Sequence, residues 1–198
     1  MITVPLSRFS LPAINALKNA NYGYVNFKTG VFGFEFRPMY HFNISALGWA
    51  TIDTLNSPKT CRLWDVETMS VVESVQLEPG IKAAEGWLAI PTPDPVPVDP
   101  ARLYRLVCSV VSGDGDKFKG HLDEFITKAM ANSTLIEYTQ IVSGTAVDEY
   151  PSKTPERMFG APTFFVGPFV EQDKLILPIS TIFGPWNSAV TTVTPTLL

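Results

Sequence analysis

The stretch from residue 42 to residue 65 most narrowly limits what this chain can fold into. Two short apolar segments, residues 42–49 and 60–64, flank a polar loop of turn-forming residues that includes Asn56. Such residues favour a reversal of the backbone because their side chains bond locally to it. Short apolar segments on either side of a turn are typical of antiparallel strands. We therefore predict that this stretch is the kernel of one antiparallel β-sheet.

Other segments alternate apolar and polar residues with the period of two that marks a β-strand. Phe32, Phe34 and Phe36 are separated by a glycine and a glutamate. This alternation predicts a half-buried strand with its aromatic face inward. Residues 104–111 are apolar on nearly both faces, so we expect this strand in the middle of a sheet. The other predicted strands are residues 42–49, 60–64, 71–77, 86–90, 135–142, 144–147 and 163–170. Segments 60–64 and 71–77 are expected to form a hairpin.

Five prolines lie within the ten residues from Pro91 to Pro100. Proline cannot donate a backbone hydrogen bond to a neighbouring strand, so this run is predicted to be a sheet edge or an extended surface connection. A proline-rich ligand for a partner's aromatic groove is the alternative. A Gly-Asp-Gly-Asp loop and a short helix over residues 121–130 are predicted to follow.

The chain divides into one predicted domain and two arms. We assign residues 27–174 to the domain, residues 1–26 to an N-terminal arm with a short helix, and residues 175–198 to a C-terminal arm. The C-terminal arm contains no charged residue, although Ile179, Phe183, Trp186 and other apolar residues are spread through it. An exposed segment of this composition would aggregate, so we expect a partner to cover it.

Composition and charge exclude several classes of partner. Charged residues are 17% of the chain, below the roughly 25% of an ordinary soluble domain, which indicates surface that another chain covers. A formal net charge of −4 provides no basic field for nucleic acid. No apolar run reaches the length of a membrane span, and the first residues do not resemble a signal peptide. We therefore expect neither nucleic acid nor membrane as a partner, and a protein that is made and kept in the cytoplasm or leaves it as part of something else.

The two cysteines, Cys61 and Cys108, are too few for a disulfide framework. By the alternation of their strands, both side chains are predicted to point into the core. Two buried free thiols are the favoured interpretation, and a bridge between them remains open if their strands are neighbours.

No residue pattern indicates catalysis or a cofactor. The acidic loop that begins at Asp114 does not fit a calcium-binding EF-hand, because its fifth, sixth and twelfth positions are Phe118, Lys119 and Phe125. The two histidines lack a zinc-ligand spacing, and no nucleophile elbow occurs. We predict no catalytic residue, no metal site and no cofactor. We interpret the acidic loop as a solvated turn, with a looser calcium site in this loop as the alternative.

The four tryptophans suit either an interface or a sugar-binding platform. Trp64 has the opposite parity to Leu63 in the same predicted strand. If Leu63 points into the core, Trp64 points outward or into a partner. We predict an interface role for Trp64, with sugar stacking as the alternative.

Four short motifs resemble a family of β-sandwich domains of unknown function. They are Ser45-Ala46-Leu47-Gly48, Leu63-Trp64-Asp65, Gly86-Trp87 and Leu103-Tyr104-Arg105-Leu106. The resemblance covers roughly residues 30 to 170. Domains of this family occur in bacterial surface and extracellular proteins beside carbohydrate-active or adhesive modules. It implies a β-sandwich fold but no particular activity.

At the level of architecture, a small sandwich with long arms resembles the virion components of bacteriophages. We predict an all-β, jelly-roll-like antiparallel sandwich of about eight strands that acts as a non-enzymatic head decoration, cement or tail protein. Its expected partners are other copies of itself and a major capsid or tail protein. The predicted interface residues are Leu6, Phe9, Leu11, Trp64, Ile179, Phe183 and Trp186. A carbohydrate- or receptor-binding adhesion module is the alternative.

Overall fold

The computed structural model describes most of the chain between residues 28 and 166. The described residues are 28–50, 55–80, 87–116, 120–131, 133–159 and 162–166. They form ten strands and one helix, which confirms the predicted all-β class. In chain order the elements are β1 (Gly30–Pro38), β2 (Phe42–Ala50), β3 (Lys59–Asp65), β4 (Ser70–Leu77), β5 (Trp87–Val98), β6 (Tyr104–Val110), β7 (Gly120–Leu122), α1 (Asp123–Met130), β8 (Ile136–Gly144), β9 (Arg157–Phe159) and β10 (Pro162–Val166).

Eight of the described strands form two antiparallel sheets packed face to face, as predicted for a β-sandwich. The larger sheet has the order β4-β3-β6-β1-β8 and the smaller has the order β10-β2-β5, while β7 and β9 form a separate ribbon. The predicted kernel is wrong in one respect, because β2 and β3 belong to different sheets. They meet face to face across the interior, where the Cys61 Sγ atom lies 3.6 Å from the Gly48 carbonyl oxygen. The connection between them therefore crosses from one sheet to the other.

The centre of the larger sheet is buried on both faces. Strand β6 is its middle strand, as predicted, and Val107 on its outer face is as fully buried as the core residues. The aromatic face of β1 points inward as predicted, with Phe34 and Phe36 fully buried. The prediction that β1 is only half-buried is wrong, because Glu35 on its other face is 5% exposed. The Arg105 guanidinium 2.7 Å away makes this burial possible by neutralising the carboxylate.

Aromatic rings connect the two sheets across the core. The ring of Phe36 in β1 stacks on Phe164 of β10 with centroids 5.1 Å apart, and on Tyr104 of β6 at 5.9 Å. Phe42 of β2 stacks on the same Phe164 ring at 6.0 Å. Such rings bury large apolar areas and stabilise the packing of the sheets. The largest fully buried apolar side chains are Trp49, Phe34, Phe36, Phe164, Phe165, Ile44 and Leu47.

The proline-rich run is an edge strand, which is one of the two predicted possibilities. Strand β5 extends to Val98, beyond the predicted end at residue 90, and in the described residues it pairs only with β2. Its exposed prolines alternate with buried residues except between Pro93 and Pro95, where Asp94 is also exposed. The exposed prolines are Pro91, Pro93, Pro95 and Pro97, and the buried residues are Thr92, Val96 and Val98. An edge strand tolerates this alternation because its outer side needs no backbone donors.

The hairpin of β3 and β4 is confirmed. Its register runs from the pair Lys59 and Leu77 to the pair Asp65 and Ser70. The Asp65 side chain accepts a hydrogen bond from the Thr68 backbone N–H at 3.0 Å, and this bond closes the turn between the strands.

Other predicted elements differ from the structure. Residues 145–149 form bends and turns instead of the predicted strand, because the chain leaves the sheet there and crosses its outer face. Strand β9 was not predicted, and α1 begins at Asp123, after a short β7. The predicted strand 163–170 is described only to Val166, and both predicted arms lie outside the described residues. Within the described residues, no helix has the length and apolar character to cross a membrane.

Candidate interaction surface

One end of the sandwich gathers the turns that connect several strands. We define this turn end as residues 39–41, 65–72, 99–103 and 133–135. In the larger sheet Tyr104 pairs with Phe36 on one side and with Asp65 on the other. Pro38 pairs with Ile136 at the start of β8. These registers place the turns side by side although they come from distant parts of the sequence.

Exposed apolar side chains are concentrated at the turn end. Tyr40 and Met69 are each 62% exposed, and Met39 is 49% exposed. Val71 and Val72, at the start of β4, are 39% and 38% exposed. In the described part of the chain, the remaining large apolar side chain with such exposure is Val111, which follows the opposite end of β6. The surface with the character of a binding patch is therefore the turn end.

Two clefts open at the turn end. The first has a volume of about 660 Å³ and lies where β1, α1 and β8 meet. Its lining includes Arg37, Met39, Pro100, Met130, Ile136 and Tyr138. The second has a volume of about 540 Å³, and its lining includes His41, Asp65, Val71, Val72, Arg102 and Tyr104. The lining of the first cleft is mainly apolar, whereas charged and polar residues make up more than half of the lining of the second.

The charged groups of the second cleft are engaged with their own chain. Asp65 is 4% exposed. Its carboxylate accepts a hydrogen bond of 2.6 Å from the Arg102 guanidinium, in addition to the bond from the Thr68 N–H. Burial opposes the charged form, but the Thr68 N–H and the Arg102 guanidinium together hold the pKa of Asp65 below its ordinary value. Burial also raises the pKa of Tyr104, whose hydroxyl accepts the Asp99 backbone N–H. These groups shape the cleft and hold its turns together.

The opposite end of the sandwich contains a buried charged cluster. We define this loop end as residues 55–59, 78–80 and 111–116. The Lys59 side chain is fully buried, and its Nζ atom lies 2.7 Å from Asp116 and 2.9 Å from Asp114. The Ser57 hydroxyl also lies within hydrogen-bond distance of both carboxylates. This cluster ties the loop before β3 to the loop after β6.

The prediction that the acidic loop is a solvated turn is wrong for its carboxylates. Asp116 is 3% exposed and, besides Lys59 and the Ser57 hydroxyl, accepts the backbone N–H groups of Asn56 and Ser57. Burial raises the pKa of Asp114, but the Ser57 hydroxyl and the Lys59 ammonium outweigh burial and lower it overall. The backbone does turn here, since Gly113 and Gly115 have φ angles of 79° and 81°, which glycine adopts without strain. The described residues contain no cluster of three or more potential metal ligands.

Trp64 is buried by its own chain. It points to the outer face of the larger sheet, as its parity predicted, but residues of the segment after β8 cover it and leave it 4% exposed. Its ring contacts Tyr150 edge to face with centroids 5.8 Å apart, and its Nε1 has no hydrogen-bond partner among the described residues. The predicted contact with a partner stays a prediction, and the contact that the structure provides is intramolecular.

The remaining predicted interface residues lie outside the described residues, so the structure does not bring them together with Trp64. They are Leu6, Phe9, Leu11, Ile179, Phe183 and Trp186. The sequence interpretation missed the turn-end residues Met39, Tyr40 and Met69. The sequence does carry a signal for them, because large apolar residues that lie between strands have no core position to occupy.

Comparison of the chain with protein-family profiles, with curated proteins and with solved structures yields no match.

Proposed function

We propose that this chain is a non-enzymatic structural component of a virion, either a head decoration or cement protein or a tail component. In this role it binds other copies of itself and a major capsid or tail protein. The observation that carries the proposal is the concentration of exposed apolar side chains at the turn end. Burial of these side chains against a neighbouring subunit would stabilise an assembly by about 25 cal/mol for each Å² removed from water.

The residue types at the turn end suit protein–protein contact. Methionine side chains adapt to an irregular partner surface because they are unbranched and flexible. Tyrosine and methionine are enriched at protein interfaces, where a tyrosine presents an apolar ring with a polar tip. Tyr40, Met39 and Met69 are the most exposed of the large apolar side chains described. They would form the centre of the contact.

The polar clusters support a structural role. Lys59 is neutralised by two aspartates, and Glu35 is bonded to Arg105, Thr139 and Gln140. A general acid or base must reach its substrate. These buried groups instead saturate one another within the fold, which makes them supports for the backbone.

The proposal gives the two arms and one sheet edge a share in assembly. The uncharged segment 175–198 would bury its apolar residues against neighbouring subunits, as would the apolar residues of segment 1–26. In the described residues β4 pairs only with β3, so its outer edge can accept an added strand. At the β5 edge of the smaller sheet, the prolines of β5 prevent the addition of a strand.

Binding to particles tests the proposal. The full chain is purified and mixed with particles assembled without it, and the bound copies are counted by quantitative mass spectrometry. We expect saturable binding at a copy number set by the symmetry of the particle. Deletion of residues 175–198 should leave a folded sandwich that no longer incorporates. A full chain that remains monomeric and does not bind particles would contradict the proposal.

The exposed ring of Tyr40 beside the clefts favours a second candidate, a carbohydrate- or receptor-binding module. Exposed aromatic rings can stack on sugar faces. This function predicts that the isolated monomer binds glycans on an array and that Tyr40→Ala abolishes the signal. Binding to particles without glycan binding would reject it.

A further inference from the structure

The two cysteines face each other at the centre of the larger sheet. Cys61 of β3 and Cys108 of β6 are direct partners in the antiparallel register. Both side chains are free thiols with no exposed surface. Their Sγ atoms lie 2.8 Å apart. The sequence placed both thiols in the core but left their pairing open, and the register supplies the missing information.

This geometry is close to that of a disulfide. Direct partners in an antiparallel pair have Cα atoms roughly 4.5 or 5.5 Å apart, and disulfides bridge Cα distances of about 4.4 to 6.8 Å. A sulfur–sulfur bond is about 2.05 Å long, so the two sulfur atoms need to approach by less than about 1 Å. The backbone of β3 and β6 can therefore keep its pairing when the bond forms.

We propose that Cys61 and Cys108 are a covalent modification site, at which a cross-strand disulfide forms when the chain folds in the presence of a small-molecule disulfide such as oxidised glutathione. One thiolate attacks the small disulfide, forms a mixed disulfide and releases one reduced thiol. The second cysteine then attacks the cysteine sulfur of the mixed disulfide and releases the other reduced thiol. Two protons leave the protein thiols, and the two electrons reduce the small disulfide.

The position of the pair determines what the bond would do. Strand β3 is joined to the rest of the larger sheet by its pairing with β6, and it carries β4 at the sheet edge. A bond between β3 and β6 ties this hairpin covalently to the middle of the sheet. It also closes the chain between residues 61 and 108 into a loop, which lowers the entropy of the unfolded state. In an oxidising compartment the sandwich would therefore be more stable than the same sandwich with both thiols reduced.

Burial limits when the bond can form. Burial and the neighbouring thiol raise the pKa of Cys61 well above its ordinary value, so the folded chain presents little thiolate. Neither sulfur is accessible to a small disulfide in the native fold. The exchange therefore takes place during folding, and the finished bond is protected from reductants by the same burial.

Oxidative refolding tests the proposal. The full chain is unfolded and reduced, refolded with a mixture of reduced and oxidised glutathione, and then alkylated in denaturant so that every free thiol reacts. We expect intact-mass analysis to show no alkyl group and no glutathione, and to show two alkyl groups after reduction. Alkylation of both thiols, or retained glutathione, would overturn the proposal.

Two comparisons complete the test. The oxidised wild-type chain should unfold at a higher denaturant concentration than the reduced chain, and equal midpoints would overturn the stabilising role of the bond. The variant Cys108→Ala leaves one thiol, so its unfolding midpoint should not depend on oxidation.

If refolding is inefficient, the same alkylation assay is applied to chain produced in an oxidising and in a reducing compartment. Free thiols in both would overturn the proposal.

Discussion

At the loop end Lys59 and two aspartates are buried together, whereas at the turn end Tyr40 and Met69 are each 62% exposed. Each end thus reverses the usual distribution of polar and apolar groups. The charges at the loop end are satisfied by one another, so they act within the fold. The apolar groups at the turn end have no such counterpart in the described residues. The difference indicates that the loop end holds the sandwich together and the turn end contacts other molecules.

The contrast makes different substitutions informative at the two ends. A buried charged cluster is stable only while it is complete, because removal of one member leaves a charge without compensation. An exposed apolar residue contributes little to folding, because it is in water in both states. Changes at the loop end should therefore alter stability, and changes at the turn end should alter binding.

The largest effect is expected from Lys59→Met. The substitution leaves Asp114 and Asp116 buried beside each other without a cation, and we expect the free energy of unfolding to fall by about 3–5 kcal/mol. Urea denaturation followed by circular dichroism measures the loss. The matched control is the triple variant Lys59→Met, Asp114→Asn, Asp116→Asn, which should recover part of the stability because no charge remains. An unchanged unfolding midpoint in Lys59→Met would refute the structural role of the loop end.

Trp64→Ala is expected to cost about 3 kcal/mol, because it opens a cavity between the larger sheet and the segment that carries Tyr150. Trp64→Phe should cost much less, since the described part of the chain offers the indole Nε1 no hydrogen-bond partner that the substitution would remove. Thermal unfolding of both variants gives the comparison. Nearly unchanged stability of Trp64→Ala would instead favour the predicted role of Trp64 in contact with a partner.

Acidification should weaken the loop end. The folded pKa of Asp114 lies below its ordinary value of 3.8, so its contribution is present above that pH and is lost as the pH falls through the folded pKa. We expect the free energy of unfolding to decrease below about pH 4. Asp65 at the turn end has a pKa shifted in the same direction. Denaturation of Asp114→Asn and of Asp65→Asn across this pH range separates the two contributions, and a wild-type slope in both variants would contradict the assignment.

The smallest effect on folding is expected at the turn end. Val71→Lys should change the free energy of unfolding by less than about 0.5 kcal/mol, because the side chain is 39% exposed. It should nevertheless weaken binding to particles or to other copies by about tenfold or more, since a charge would be buried in the contact. Sedimentation and particle binding measure this loss. Val111→Lys is the control at the opposite end, where the side chain is 45% exposed. Equal binding losses in the two variants would contradict the proposed surface.

Sequence reasoning recovered the parts of the fold that depend on local patterns. The alternation in β1 and β6 predicted strands, and the prolines of β5 predicted an edge, because both signals arise from neighbouring residues. The partition of β2 and β3 into different sheets was missed, since two strands joined by a loop can either pair or pack face to face. The candidate interaction surface was only partly foreseeable. Met39 and Tyr40 follow Pro38 in a turn, but nothing local shows that the turn at Met69 lies beside them.

By itself, the sequence determined the fold class, the inward aromatic face of β1 and the core position of Cys61 and Cys108. Hydrophobic periodicity carries that information, because it requires only that each strand bury one face. Only the tertiary structure decided which distant residues meet. It brought Lys59 to Asp114 and Asp116 and covered Trp64 with a segment that follows β8. These outcomes depend on strand order and register, which are set by packing of the whole sandwich and leave no mark at a single position.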